Sequence, residues 1–167
     1  TVTGGTITTA AYGGLVINNK PSATTGDAEK NTVNITGGTV ANAYGAQVRT
    51  KAGSASENTA KISGGTVSHV YGASLTAAGA TGSALKSRVD VTGGAVTGDV
   101  YGGQIVNTGA TGSVTESQVN LTGGSVGGSV YGGRTNGSGF AKDNIVNITG
   151  GTLHDVYGGF AQAGKAT

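Results

Sequence analysis

Cysteine, methionine and tryptophan are absent from this chain of 167 residues, and proline occurs once. Without cysteine there is no disulfide framework, no thiolate metal site and no thiol nucleophile. Stability must therefore come from backbone hydrogen bonding and packing. Aromatic residues are few, six tyrosines and two phenylalanines, so a conventional globular core is not expected. Charge is also sparse, with 11% charged residues and a net charge of +2. The basic residues Lys20, Arg49, Lys51, Lys86, Arg88, Arg134 and Lys142 are scattered among acids and form no block, which argues against a phosphate-tracking groove and a nucleic-acid partner. No apolar run approaches the roughly 18 residues of a membrane span, and no charged-then-apolar signal segment opens the chain. Membrane insertion by this segment is not expected, and the chain reads as a piece cut or matured from a longer polypeptide.

What the chain has is glycine, 34 residues of it, arranged with a period. Aligned on a Gly-Gly pair followed by Tyr-Gly, the sequence falls into six imperfect copies of roughly 29 residues. They begin at Val2, Val33, Ala60, Val89, Val119 and Val146 and follow the pattern V-x-[IVL]-[TS]-G-G-[TAS]-[VIL]-x2-3-[AV]-Y-G-[GA]. The six tyrosines, Tyr12, Tyr44, Tyr71, Tyr101, Tyr131 and Tyr157, fall one per copy. A fixed period of this size marks units that bury their apolar faces only by stacking.

Within a copy, Val33 and Ile35 flank Asn34, Val89 and Val91 flank Asp90, and Val146 and Ile148 flank Asn147, the period-2 alternation of a half-buried strand. The Gly-Gly pair predicts a corner, because glycine permits the positive φ that a sharp turn needs. A second strand follows, carrying Val40 and Ala43, Val67 and Val70, or Val96 and Val100. A second corner is expected after each tyrosine, then a third short strand such as Gln47-Val48 or Gln104-Ile105. Each copy closes in a loop of variable length, from Asn18 to Lys30 in the first copy to Thr135 to Asp143 in the fifth. A polar column, Asn31, Asn58, Ser87, Ser117 and Asn144, follows as turn residues that bond nearby backbone. These features predict an all-β chain, a single domain over residues 1–167, folded as a parallel β-helix (β-solenoid) of about six coils of three short strands. Helix is expected nowhere.

The copies Val33 to Gly45, Val89 to Gly103 and Val146 to Gly159 resemble the glycine-rich repeats of Gram-negative type V autotransporter passenger domains. The resemblance implies a right-handed coil and an exported segment of an adhesin at the bacterial cell surface. The partners expected are a host cell-surface protein or glycan, or self-association, with no cofactor; the alternatives are a non-binding structural spacer of a larger surface protein and a carbohydrate-active β-helix enzyme fragment.

Individual residues offer little chemistry. The tyrosine column is expected to stack for packing, with a sugar or partner platform as the rival reading. Two hydroxyl columns, Thr3, Thr36, Ser63, Thr92, Thr122, Thr149 and Thr6, Thr39, Thr66, Ala95, Ser125, Thr152, lie on either side of a predicted corner, and the second is broken at Ala95. Paired catalytic carboxylates would need two acids on one face. Asp90, Asp99 and Asp155 fall in three copies, and Asp99 and Asp155 share a position two coils apart. His69 and His154 lie three coils apart and cannot share a metal. Asn34, Asn120, Asn136 and Asn147 begin N-x-[ST] triplets, three of them by-products of the repeat. The chain is therefore read as no enzyme, with no catalytic, metal or cofactor site. Recognition is expected in the variable loops, which include Gly79 to Ser83 and Gly109 to Ser113.

Overall fold

The computed structural model describes residues 1–17 and 25–167. The expected loop from Asn18 to Lys30 lies in part, at 18–24, outside the described residues. The described chain is all-β and winds as a solenoid whose strands form three parallel sheets. The first contains the V-x-I strands Thr32–Ile35, Thr59–Ile62, Arg88–Val91, Gln118–Leu121 and Ile145–Ile148. The second, the tyrosine sheet, runs through all six copies, as in Thr39–Val48, Thr66–Leu75 and Val100–Ile105. The third is made of two-residue strands, Ala28–Glu29, Ala55–Ser56, Ala84–Leu85, Val114–Thr115 and Ala141–Lys142.

Register is exact between copies. Val33 pairs with Ala60, Val89 with Val119, and Tyr44 with Tyr71, so each repeat position becomes a column along the stack. Six copies produce about five complete coils rather than six. In the first copy the V-x-I strand is reduced to a single bridge from Val2 to Ile35, and in the last the short sheet is reduced to a bridge from Ala166 to Ala141.

The Gly-Gly corner forms as expected. Gly38 has φ of 80°, and a Cβ there would lie 2.7 Å from the carbonyl carbon of Gly4 one coil below. The left-handed backbone and the stacked corner beneath both demand glycine.

The second expected corner does not form. In the second and third copies the chain passes through Tyr-Gly without leaving the sheet, so the predicted second and third strands are one ten-residue strand. The glycine after the tyrosine has another duty. A Cβ on Gly45 would come within 2.8 Å of both N and C of Thr59, where the V-x-I strand of the next copy begins, and would press on the carbonyl oxygen of Gly72. Gly13, Gly72, Gly102 and Gly132 make the equivalent approaches to Thr32, Arg88, Gln118 and Ile145. The coil is therefore pinched at its waist, and the glycine lets two backbones touch.

The pinch divides the interior into two apolar lobes. One holds Ile35, Val40, Ile62, Val67, Val91 and Leu121 between the V-x-I sheet and the first half of the tyrosine sheet. The other holds Val48, Ala55, Leu75, Ala84, Ile105 and Val114 between the second half and the short sheet. Small and β-branched side chains suffice because each lobe is narrow. This arrangement explains how a chain with so few large residues still has fully buried Ile, Leu and Val in every inner coil.

The third side of the coil lies inside the segment read as loop. Gly53-Ser54-Ala55, Gly82-Ser83-Ala84 and Gly112-Ser113-Val114 stack on one another, and the serines form a ladder: Ser83 N–H donates to Ser54 Oγ (3.1 Å) and Ser113 N–H to Ser83 Oγ (3.2 Å). Each short strand is followed by a left-handed residue that is not glycine: Lys30, Glu57, Lys86, Glu116 and Asp143, with φ from 48° to 55°.

Candidate functional site

The tyrosine column is a continuous stack. Ring centroids lie 5.2, 4.6, 5.1, 5.1 and 4.9 Å apart from Tyr12 to Tyr157, with planes within 11° of parallel. That step matches the strand spacing, so the rings are offset-stacked as the coil repeats. Each inner ring gives both faces to its neighbours, which leaves edges and hydroxyls to the outside. A platform for sugar stacking needs open faces, so among the inner rings packing takes the surface that such a platform requires.

Burial raises the pKa of Tyr44, Tyr71 and Tyr101 above the ordinary phenol value. Neighbouring phenols add to this at Tyr44 and Tyr71, and a hydrogen bond to the Asp99 carboxylate adds to it at Tyr101. The Tyr101 hydroxyl donates to Asp99 Oδ2 (2.8 Å) and accepts from Arg134 Nη1 (3.2 Å). Asp99 Oδ1 accepts from Ser129 N–H (2.8 Å), and the Arg134 guanidinium lies 5.3 Å from the Tyr131 centroid and 5.4 Å from that of Phe160. This network clamps three coils together, with every oxygen of Asp99 engaged.

The other singled-out residues do not converge. Among the described residues no three His, Asp or Glu side chains lie close enough to hold a metal. Asp99 is tied to Tyr101, while Asp90 sits on a different sheet, bonded by Arg88 Nε (2.6 Å) and Asn120 Nδ2 (2.7 Å). His154 lines a shallow depression of about 390 Å³ with Val96, Val126 and Leu153, and His69 stacks on Tyr71 at 6.5 Å. Gly79 to Ser83 and Gly109 to Ser113 are in part structural: Ala80 and Ala110 are buried in the second lobe, and Thr111 N–H donates to the Ala80 carbonyl (2.9 Å).

The polar column also proves to be more than turn chemistry. Asn58 is fully buried at the pinch, where its Nδ2 donates to the Ala28 carbonyl (2.8 Å) and its Oδ1 accepts from Asn31 N–H (2.9 Å). Asn144 repeats the pattern toward Val114 and Ser117. These side chains link successive coils.

A groove of about 480 Å³ lies on the outer face of the V-x-I sheet. It runs across successive coils and brings together Asn34, Lys61, Asp90 and Asn120 from one register column with Thr36, Ser63, Thr92 and Thr122 from the adjacent one. The column next to the Gly-Gly corner is exposed, and Thr36 Oγ1 donates to the Val2 carbonyl one coil away (3.2 Å). Of these two columns the sequence singles out only the one through Thr36, as a hydroxyl array, because a groove depends on how coils lie against one another.

No family model, no curated protein and no solved structure matches the chain.

Proposed function

We propose that this chain is a segment of a bacterial surface adhesin, a stiff rod displayed outside the cell that attaches to a glycan or protein on another surface or to a sister cell. The observation that supports the reading is the groove on the V-x-I sheet, which crosses several coils and is lined by amide, hydroxyl and charged side chains. An open groove that crosses several coils suits shallow, multivalent contact with an extended partner better than capture of one small molecule. The repeat, the resemblance to autotransporter passengers and the dispersed acids point the same way, and we read the chain as non-enzymatic. The unbroken tyrosine stack favours a second reading, a spacer that holds some other binding domain away from the cell, because an aromatic column sealed by its own neighbours contributes stiffness without contact.

Binding of the labelled chain to epithelial cells and to a broad glycan panel tests the first reading against the second. Saturable binding supports adhesion. A folded sample that binds neither cells nor glycans makes the segment a spacer.

A further inference from the structure

The tyrosine column has a chemical capacity that packing does not use. Cysteine, methionine and tryptophan, the other side chains that give up an electron readily, are absent from the chain, so an oxidising equivalent that reaches it falls to the tyrosines. Stacking lets the rings share it. Tyr71, Tyr101 and Tyr131 lie face to face, with 5.1 Å between successive centroids and planes 7° apart, so their π systems adjoin without a gap. Tyr71 and Tyr131 are half-buried and meet solvent, whereas Tyr101 between them is only 4% exposed.

The column is not uniform along its length. A buried ring resists the bare cation that loss of an electron alone would leave, and Tyr101 resists it more because the Arg134 guanidinium is bonded to its oxygen (3.2 Å). A phenol in such a place is oxidised easily only where a base stands ready for its proton. Tyr101 has that base: its hydroxyl donates to Asp99 Oδ2 at 2.8 Å. Among the described residues no other tyrosine hydroxyl donates to a carboxylate, not even that of Tyr157, which Asp155 precedes by two residues as Asp99 precedes Tyr101. The base is fixed in place, since Asp99 Oδ1 accepts from Ser129 N–H in the next coil at 2.8 Å. Burial and the bond to Asp99 keep the phenol protonated well above neutral pH, so the proton is present to be moved.

We propose that the column is a one-electron redox site, in which Tyr101 gives an electron to a diffusing oxidant of high potential, such as the carbonate radical, while its hydroxyl proton passes to Asp99 Oδ2. The oxidant gains the electron and becomes carbonate, and Tyr101 becomes a neutral phenoxyl radical. The O–H bond broken at the tyrosine is remade at the aspartate, which then donates back to the phenoxyl oxygen. The change of charge falls on the carboxylate, so no cation stays on a buried ring. Oxidation that begins on Tyr71 or Tyr131 moves one ring inward and ends at the same place. This chemistry holds whether the rod adheres or only spaces.

The test oxidises the full chain with flash-generated tris-bipyridyl ruthenium(III) and follows the phenoxyl radical by its transient absorbance. In the parent the radical is expected to form at a rate independent of phosphate buffer concentration, because the base is built in. Asp99→Asn, whose amide cannot take the proton, should form it about a hundredfold more slowly, the lower end of what a positioned base contributes, at a rate that climbs with phosphate. Tyr101→Phe keeps the ring and the stack and should show the same slow, buffer-dependent rate. Superimposable circular dichroism and melting curves show that both variants are folded. A parent rate that climbs with phosphate overturns the assignment and needs no variant to do so. A parent-like rate in folded Asp99→Asn removes the aspartate as the base, and a parent-like rate in folded Tyr101→Phe puts the radical on another ring; either result also overturns it.

Discussion

Replacing Gly45 by alanine tests the waist of the coil. The added methyl would sit 2.8 Å from Thr59 N and from Thr59 C and would also meet the Gly72 carbonyl oxygen. Ordinary contact begins near 3.4 Å, so the two backbones must part by about 0.6 Å. Thr59 N–H is held to the Asn31 carbonyl at 2.8 Å, so the movement that relieves the clash stretches an inter-coil hydrogen bond. Overpacking of this kind costs about 1–3 kcal/mol and weakening the bond about 1 kcal/mol more, giving about 2–4 kcal/mol. With a urea dependence of about 2 kcal/mol per molar, the unfolding midpoint should fall by about 1–2 M. The assay is a urea titration read in parallel by far-UV circular dichroism and tyrosine fluorescence, because a repeat array can unfold in parts and the two signals would then separate. Gly109→Ala is the control: nothing lies within 4 Å of its Cβ, so its midpoint should stay within about 0.3 M of the parent. A Gly45→Ala midpoint as close to the parent as that would refute the pinch as a tight backbone contact.

Two further outcomes follow from other columns. The folded state keeps Tyr44, Tyr71 and Tyr101 protonated to higher pH than the unfolded chain does, so their contribution is fully present below the ordinary tyrosine pKa of about 10 and is lost as pH climbs through the raised values. Melting temperature should therefore decline progressively from about pH 10 upward, with phenolate absorbance rising as the stack opens; phenolate appearing at ordinary pH while the fold persists would contradict the stacked burial. Asn58→Ala strips the buried pinch of its bonds to Ala28 and Asn31 and should cost about 1–3 kcal/mol in the same urea assay. Ser117→Ala in the same column should cost less than about 1 kcal/mol, because Ser117 Oγ has no hydrogen-bond partner among the described residues, and equal losses would show that the column acts by size alone.

The alternation of Val33-Asn34-Ile35, the Gly37-Gly38 corner and the one-per-copy tyrosine are all local patterns, so the parallel stacked sheets, the corner and the ring column were legible in the sequence. The Tyr-Gly step was not. Gly45 looks like a turn residue, but its backbone stays outside the left-handed region, and its lack of a side chain answers to Thr59, fourteen positions away. The short sheet was hidden for a different reason. Its signature, Gly-Ser-Ala at Gly53 and Gly82, Gly-Ser-Val at Gly112 and Gly-Phe-Ala at Gly139, recurs in every inner copy, yet it follows a stretch whose length varies. Alignment from the tyrosine smears it, whereas alignment backward from the V-x-I strand would have found it. The groove was not legible because it depends on how the V-x-I strands of successive coils lie against one another, which no single copy of the repeat contains.

Strand pairing stays in register although successive tyrosines are separated by 26 to 32 residues. Nearly all of the difference is discharged between the tyrosine sheet and the short sheet, in segments such as 49–54, 76–83 and 136–140, and one residue of it falls between the Gly-Gly corner and the tyrosine in the fourth and fifth copies. Duplication or loss of a repeat within a gene would therefore change one quantity, the distance spanned, in increments of about 4.8 Å per copy, and leave the outline of the shaft untouched. The length of the rod would be inherited as a copy number, open to selection without any new interior having to be invented.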